Sequence, residues 1–369
     1  MQVALVCNSA FGTDGISMFV MNNHRFFGHE NVRYHLIYSS IHSLREVVDG
    51  YVQDWCKDGD KSLFISKGNG ALAFAINFYR YLKQEKIDVL HVHGSSAAIL
   101  LEMIMAKLAG VKKIATHSHN TQGNHNTIHK ILRPLVNLFA DERLACGYKA
   151  GQWMYGKKKK FTVIPNCIDT SRYLFDERFR TEARSELGIE ENCIVLGHVG
   201  MFTEVKNQKF LLQLMHELGR DGKCDFKLML IGDGELLENA QKEAKQLSIS
   251  NNVLFLGCRN DVPRLMMAMD VFCMPSLYEG FPITAVEAQA TGLPLLMSDN
   301  VSLEVNITDL VKLLPIDQGT ELWEKEIKQA SKTQHERKSY ADRIKAAGYD
   351  IIYSAEMLEQ IYRKNIDLI

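Results

Sequence analysis

The sequence predicts an α/β protein of two doubly wound domains, each a parallel sheet with helices on both faces. Three observations predict it. Short apolar runs alternate with helix-length segments along the whole chain. The alternation breaks once, near Pro165-Asn166-Cys167-Ile168-Asp169, and then restarts. Several apolar runs end in glycine-bearing turns, where the backbone of such a sheet can approach a ligand. At 369 residues the chain is long enough for two sizeable cores.

In the first run, Val3–Cys7, Tyr34–Tyr38, Leu63–Ile65, Val89–Val92, Ile114–Thr116, Arg143–Cys146 and Phe161–Ile164 read as buried strands. Helical spacing of apolar residues marks Ala71–Lys83, Ser96–Ala109 and His129–Leu138. In the second run the strands are Ile194–Val199, Lys227–Ile231, Val253–Leu256, Val271–Met274 and Leu293–Met297. Helices are expected at Gln208–Gly219, Glu235–Leu247, Val262–Met269 and Thr284–Ala290. Pro and Asn break the chain between the two runs. Ile351–Ile366 carries a helical apolar stripe of its own.

Composition narrows the class. An apolar share of 46% and a charged share of 24% are ordinary for a soluble globular protein. No apolar run reaches the ~18 residues that mark a membrane-spanning helix. Met1–Val6 reads as a first strand, not as a signal peptide. Eight cysteines at 7, 56, 146, 167, 193, 224, 258 and 273 form no Cys-x-x-Cys pair, and most lie in apolar runs. That pattern fits reduced, buried thiols in a cytoplasmic protein.

The net charge of −1 hides an asymmetry. Residues 1–180 hold 23 Lys and Arg against 15 Asp and Glu, or +8; the remainder holds 20 against 29, or −9. A basic half has an affinity for anionic partners such as a membrane surface or a lipid phosphate. Compensating charge between two domains accounts for the numbers equally well. Lys157–Lys160, with Trp153, Tyr155 and Phe161 nearby, reads as a solvated loop or as a contact for anionic lipid. No nucleic-acid motif is present.

Chemistry concentrates between Glu279 and Glu287. Pro282 suits the first position of a helix, and Gly280 lets the backbone come close to a ligand. Free N–H groups at a helix start, with the positive dipole end, form an anion site. A carboxylate on each side of bound phosphate makes sense when the phosphate carries a hydroxyl-rich sugar. A hydrolytic carboxylate dyad needs about 5–9.5 Å, whereas eight helical residues rise ~12 Å. The two acids therefore read as separate hydroxyl anchors. Unpaired solvated acids on a surface helix are the plain alternative.

Lys206 lies in Gly200–Asn207, a strand-to-helix turn where a cation can neutralise a diphosphate and aid its departure. Ile231–Glu235 lacks the third glycine of a dinucleotide fingerprint and reads as a tight turn. Ala10–Ser17 is a glycine turn or an ordinary connector after the first strand. His91-Val92-His93 and His117-Ser118-His119 each offer two imidazoles on one strand face. No third ligand stands out, so cleft-lining polar residues are expected rather than a metal site. No nucleophile elbow of a Ser-His-Asp hydrolase is present.

Taken in order and spacing, these segments resemble one family along nearly the whole chain. They are the Gly15 turn, His117–Asn120, Ile164–Asp169, Gly200–Asn207, Ile231–Gly234, Leu256–Pro263 and Glu279–Glu287. The chain is similar to retaining glycosyltransferases of family 4, of the bacterial capsule and exopolysaccharide type. The resemblance implies the GT-B fold, two Rossmann-like domains facing across a cleft. Residues 1–168 would bind the acceptor, with the helix at about 351–369 packed back on them, and 169–350 would bind the nucleotide sugar.

It also implies roles. Glu279, in a loop with Gly280, Phe281 and Pro282, would hold donor-sugar hydroxyls. Amides near Ile283 and Thr284 would hold phosphate, and Glu287 the ribose. Lys206, beside Asn207, would neutralise the diphosphate; the Cys258–Arg259 backbone would meet the base. Gly15 and His119 would close over donor sugar and acceptor. Transfer would retain the anomeric configuration without a metal. The implied reaction moves a hexose or N-acetylhexosamine from a UDP-sugar to a glycan on a polyprenyl-diphosphate lipid, at the inner face of the cell membrane. Three positions depart from the family. Met201 replaces an arginine, Asp14 the first glycine of a Gly-Gly turn and Cys167 a linker glycine. Met201 and Asp14 motivate the alternative of a nucleotide-sugar binder without catalysis; a sugar-nucleotide epimerase of similar fold is the other.

Overall fold

The structure, a computed structural model, describes residues 1–8, 11–12, 14–41, 45–120, 126–220, 225–332, 336–364 and 366, without the side chain of 126. Ala10, Thr13 and Cys224 lie outside the described residues. The chain forms two units, Met1–Cys167 with Ile351–Ile369, and Ile168–Asp350.

In the first unit seven parallel strands run β1 (Gln2–Cys7), β2 (Arg33–Tyr38), β3 (Lys61–Phe64), β4 (Val89–Gly94), β5 (Lys113–Ser118), β6 (Glu142–Ala145) and β7 (Thr162–Val163). Their spatial order is β3-β2-β1-β4-β5-β6-β7. Alternation along β1 explains both faces. Val3, Leu5 and Cys7 pack with Phe19 and Val20 of helix Gly15–His24 and with Leu358 and Tyr362 of the terminal helix Ile351–Arg363. Ala4 and Val6 point the other way, onto Phe74 and Phe78 of helix Ala71–Gln84 and Met103 of helix Leu100–Ala109. The terminal helix is also held by Ser354 Oγ, which donates to Asn23 Oδ1 at 2.6 Å in a buried contact.

The second unit has six parallel strands, β8 (Ile194–Val199), β9 (Phe226–Ile231), β10 (Val253–Phe255), β11 (Val271–Met274), β12 (Leu295–Ser298) and β13 (Val311–Leu314). Their order is β10-β9-β8-β11-β12-β13. Val195, Met229, Phe272 and Met297 face one core, and Leu196, Leu228, Cys273 and Leu296 face the other. In both sheets the chain winds outward in two directions from one point, between β1 and β4 and between β8 and β11. The carboxyl ends of strands beside such a switch point are where ligands bind.

Several elements were not expected from pattern. They are β13, Gly15–His24, Arg45–Trp55, Tyr148–Tyr155, Glu177–Glu186, Glu321–Ala330 and Ser339–Ala346. Glu177–Glu186 buries only Ala183 and Arg184, so it shows no apolar stripe. Arg184 Nη1 instead donates to Ala268 O at 3.1 Å, at the C-terminus of helix Val262–Ala268.

Candidate active site

At the switch point of the second unit, the loop after β8 meets the loop after β11. Leu277 N donates to Val205 O at 2.8 Å, and Asn207 Nδ2 to Pro275 O at 3.2 Å. Asn207 adopts a left-handed φ of 54°, which ends the short 3-10 turn Glu204–Lys206 and releases its side chain for this bond. The two ties bring Lys206 Nζ to 2.7 Å from Glu279 Oε2. Ser276, fully buried, donates from Oγ to Glu279 Oε1 at 2.6 Å. Both oxygens of Glu279 are thus oriented from its own unit.

Helix Ile283–Ala290 starts just after this acid. Pro282 does not occupy its first helical position, as expected from sequence. With ψ at 119° it is extended and forms the N-cap, so Ile283 is the first helical residue. Glu287 lies about one turn into the helix. No side chain caps the N-terminus, and no acid stands in the first turn. The enclosed Thr284 Oγ1 has no hydrogen-bond partner among the described residues. Glu287 Oε1 accepts from Tyr173 OH at 2.6 Å, and burial raises its carboxyl above the usual range.

The neighbouring loops are stitched to this one. Phe202 N donates to Asp233 O at 2.9 Å, and Gly232 N to Gly257 O at 2.9 Å. A Cβ on Gly232 would stand 2.2 Å from Gly200 O, and one on Gly234 2.6 Å from Phe202 O. Both positions, at φ 137° and 153°, need glycine. This turn is therefore built for packing on Gly200–Phe202. Gln208, buried, holds Met201 O through Nε2 at 2.9 Å. Cys258 is exposed, unlike the buried thiols expected; burial of its sulfur still lifts its pKa. Arg259 is paired with Asp261 at 2.8 Å. None of the seven described cysteines forms a disulfide.

In the first unit, Gly15 is the first residue of helix Gly15–His24 and not a turn. Asp14 is its N-cap, accepting from Ile16 N at 2.9 Å and from Ser17 N at 3.3 Å. The charge at Asp14 is thereby engaged with a helix dipole. His119 Nε2 lies 2.9 Å from His93 Nδ1, and its ring packs edge-on to Phe19 of that helix at 5.0 Å.

The two His-x-His pairs do not stay apart. Parallel pairing of β4 with β5 sets His93 beside His117, a register invisible in either segment alone. His91, His93 and His117, all buried, each bring one nitrogen within 4.8 Å of the others and could hold a metal, as could His24, His29 and Asp60 elsewhere in this unit. The rings of His91 and His117 lie within 13° of parallel, and those of His93 and His117 within 28°. His91 Nδ1 is bound to Tyr362 OH at 2.7 Å. Burial holds His91 down at about 3, and burial with neighbouring imidazoles keeps His93 and His117 well below the usual range.

Sequence reasoning missed Ser276, Tyr173 and Gln208. Ser276 stands three residues before Glu279 and carries no motif. Tyr173 lies 114 positions from its partner.

Residues 179–348 match the family described as glycosyl transferases group 1, and residues 14–172 the family described as glycosyltransferase family 4. Together the matches span both units. The chain belongs to the family 4, group 1 glycosyltransferases. Its relatives include EpsF of Bacillus subtilis (strain 168), 29% identical, with 96% of this chain and 94% of that protein covered. A second is the Escherichia coli UDP-Gal:alpha-D-GlcNAc-diphosphoundecaprenol alpha-1,3-galactosyltransferase, 30% identical over 61% of each chain. The GT-B fold is shared with Anabaena Alr3699/HepE, solved in complex with UDP-glucose. That structure has a TM-score of 0.78, 18% identity, and covers 98% of this chain and 99% of its own. This glycosyltransferase has no described helix long and apolar enough to cross a membrane.

Proposed function

We propose that this glycosyltransferase moves a hexose or N-acetylhexosamine from a UDP-sugar to a glycan on a polyprenyl-diphosphate lipid, retaining the anomeric configuration. One observation carries the reading. Lys206 and Glu279 meet 2.7 Å apart at the switch point of the second unit, at the mouth of an uncapped helix whose Thr284 hydroxyl has no hydrogen-bond partner among the described residues. The amides of Ile283 and Thr284 and the Lys206 ammonium receive the diphosphate. Its negative charge grows as the sugar–oxygen bond breaks, and fixed donors at that place lower the barrier. Glu279, oriented by Ser276, accepts from sugar hydroxyls. Glu287, with Tyr173, faces the ribose. Gly280, Phe281 and Pro282 form the loop between acid and helix, and the Cys258–Arg259 backbone meets the base.

The uridine donor is supported by HepE, which binds UDP and UDP-glucose, and by the E. coli relative, whose name states a UDP-Gal donor, a lipid-diphosphate acceptor and an alpha linkage. A transfer assay with UDP-sugars and a GlcNAc-diphosphoprenol acceptor, with the product anomer read by NMR, tests it. An α-linked product supports the reading. Sugar nucleotide that binds but is neither hydrolysed nor transferred would favour the binder that Met201 and Asp14 motivate.

A further inference from the structure

A second group of imidazoles gathers in the first unit, where three segments of the chain meet. Helix Gly15–His24 ends on His24, His29 follows in the loop after it, and Asp60 stands immediately before β3. Gly59, at a left-handed φ of 81°, closes the short turn Cys56–Asp58 and lets the chain reverse into the strand with Asp60 buried.

The carboxylate is oriented from β2, since Asp60 Oδ1 accepts from Tyr34 N at 2.8 Å. Its other oxygen faces both histidines, 2.7 Å from His24 Nε2 and 3.3 Å from His29 Nδ1. The His24 ring is fixed by stacking on Trp55, with centroids 3.7 Å apart and planes 11° from parallel. The contact of His24 with Asp60 is a hydrogen bond. His29 Nδ1 is different. It is an enclosed nitrogen with no hydrogen-bond partner among the described residues. On the far side of the same ring, His29 Nε2 lies 3.9 Å from Asp58 Oδ2. A proton on Nε2, toward that carboxylate, leaves Nδ1 as a lone pair beside His24 Nε2 and Asp60 Oδ2.

We propose that His24 Nε2, His29 Nδ1 and Asp60 Oδ2 bind one zinc ion, with water as fourth ligand and Asp58 as the carboxylate behind His29. The three atoms lie within 4.8 Å of one another. Tetrahedral zinc at its usual bond lengths sets ligand atoms about 3.3 Å apart. The pair His29 and Asp60 meets that distance, and His24 and Asp60 approach it. Two imidazoles with one carboxylate suit zinc better than calcium or magnesium, which take oxygen ligands. On binding, His24 Nε2 releases to solvent the proton it shares with Asp60. The His29 side chain, 29% exposed, leaves the ion a way in and the water a place.

The task of this ion is structural. Asp60 precedes β3, and His24 is the last residue of its helix, so the cluster sits away from the strand carboxyl ends where ligands bind. Zinc there fastens the end of the helix whose start carries Asp14 and Gly15, and joins that end to β3.

Full-length protein, purified after growth with added zinc and dialysed, is assayed for bound metal by mass spectrometry. The EDTA-treated protein is then titrated with zinc against a chromophoric chelator, and melted with and without zinc. The wild type holds one zinc per chain, and zinc raises its unfolding midpoint by mass action. His29→Ala lowers zinc affinity at least about 100-fold and cancels that rise, while its midpoint in EDTA matches that of the wild type in EDTA. Asp58→Asn, a change at an exposed side chain, lowers the affinity on the order of tenfold. A wild type that binds no zinc overturns the proposal. So does His29→Ala with its full equivalent of zinc, which would move the ion to His91, His93 and His117. Should His29→Ala fail to fold, Asp58→Asn decides alone, and an unchanged affinity overturns the proposal.

Discussion

Lys206 Nζ and Glu279 Oε2 lie 2.7 Å apart although 73 positions separate the residues in the chain. The contact follows from the strand order. β8 and β11 are neighbours, so their carboxyl-end loops share one place. An acid holding a cation beside an uncapped helix start keeps that cation positioned for a diphosphate.

Replacing Lys206 by Ala should lower kcat on the order of 10²-fold or more, because a charge-assisted contact to the departing phosphate is lost. Glu279→Gln should lower transfer as well, while both variants keep a cooperative unfolding transition. Steady-state kinetics with thermal melts decides this; undiminished transfer by either variant removes that residue from the proposed site.

Two glycines make opposite predictions. A Cβ on Gly15 would meet nothing within 4 Å, and alanine is the better helix residue. Gly15→Ala should fold as well as the wild type and yet transfer more slowly, if the backbone there approaches a ligand. At Gly234 a Cβ would stand 2.6 Å from Phe202 O. Gly234→Ala should therefore lower the melting temperature, by the equivalent of about 1–3 kcal/mol for strained backbone. Equal behaviour of the two variants in both assays would contradict this division.

Acid should unfold the protein through its histidines. Burial lowers His35 and His198 to about 4 and His91 to about 3, and keeps His93 and His117 well below the usual value. All five are buried. Their folded-state values lie below the unfolded one, so the unfolded chain binds more protons once pH falls under about 6.5. The stability of neutral burial is complete above that pH and declines as pH drops toward 4. Each such histidine should cost about 1.4 kcal/mol at pH 5.5. Melting temperature against pH should fall steeply below 6.5, and His198→Gln should flatten the curve. A flat profile from 7 to 5 would contradict the buried neutral imidazoles.

Tyr173 OH donates to Glu287 Oε1 at 2.6 Å and opposes the rise that burial imposes on this acid. Tyr173→Phe should push Glu287 further up. A raised carboxyl destabilises the fold increasingly as pH climbs through its unfolded value. The loss, about 1–3 kcal/mol, should therefore be larger at neutral pH than near pH 4.5. Melts at the two pH values decide it, and a loss independent of pH would assign Tyr173 to packing alone.

The strand framework was legible because buried parallel strands are continuous apolar runs, as in Val271–Met274. Elements held by charge were not. Glu177–Glu186 is anchored by Arg180, which pairs with Asp270 at 2.6 Å, and by Arg184, so it shows no stripe. Edge strand β13 carries Lys312 amid three aliphatics and is only four residues long. Register was equally hidden, since His93 meets His117 only when β4 pairs with β5. At the candidate site, motif spacing pointed to Glu279, Glu287 and Lys206. Ser276, which supports Glu279 from three residues before it, belongs to no motif, and Tyr173 reaches Glu287 only through a tertiary contact across 114 positions.

The central claim is a division of labour, with Lys206 and the helix start gripping the diphosphate and Glu279 gripping the sugar. Titration calorimetry of UDP and of a UDP-sugar panel into wild type, Lys206→Ala and Glu279→Ala tests it most directly. Lys206→Ala should weaken UDP and UDP-sugar alike, at least about tenfold. Glu279→Ala should leave UDP affinity intact and abolish only the increment by which the sugar nucleotide exceeds it. UDP and UDP-sugar binding unchanged in both variants would contradict the account.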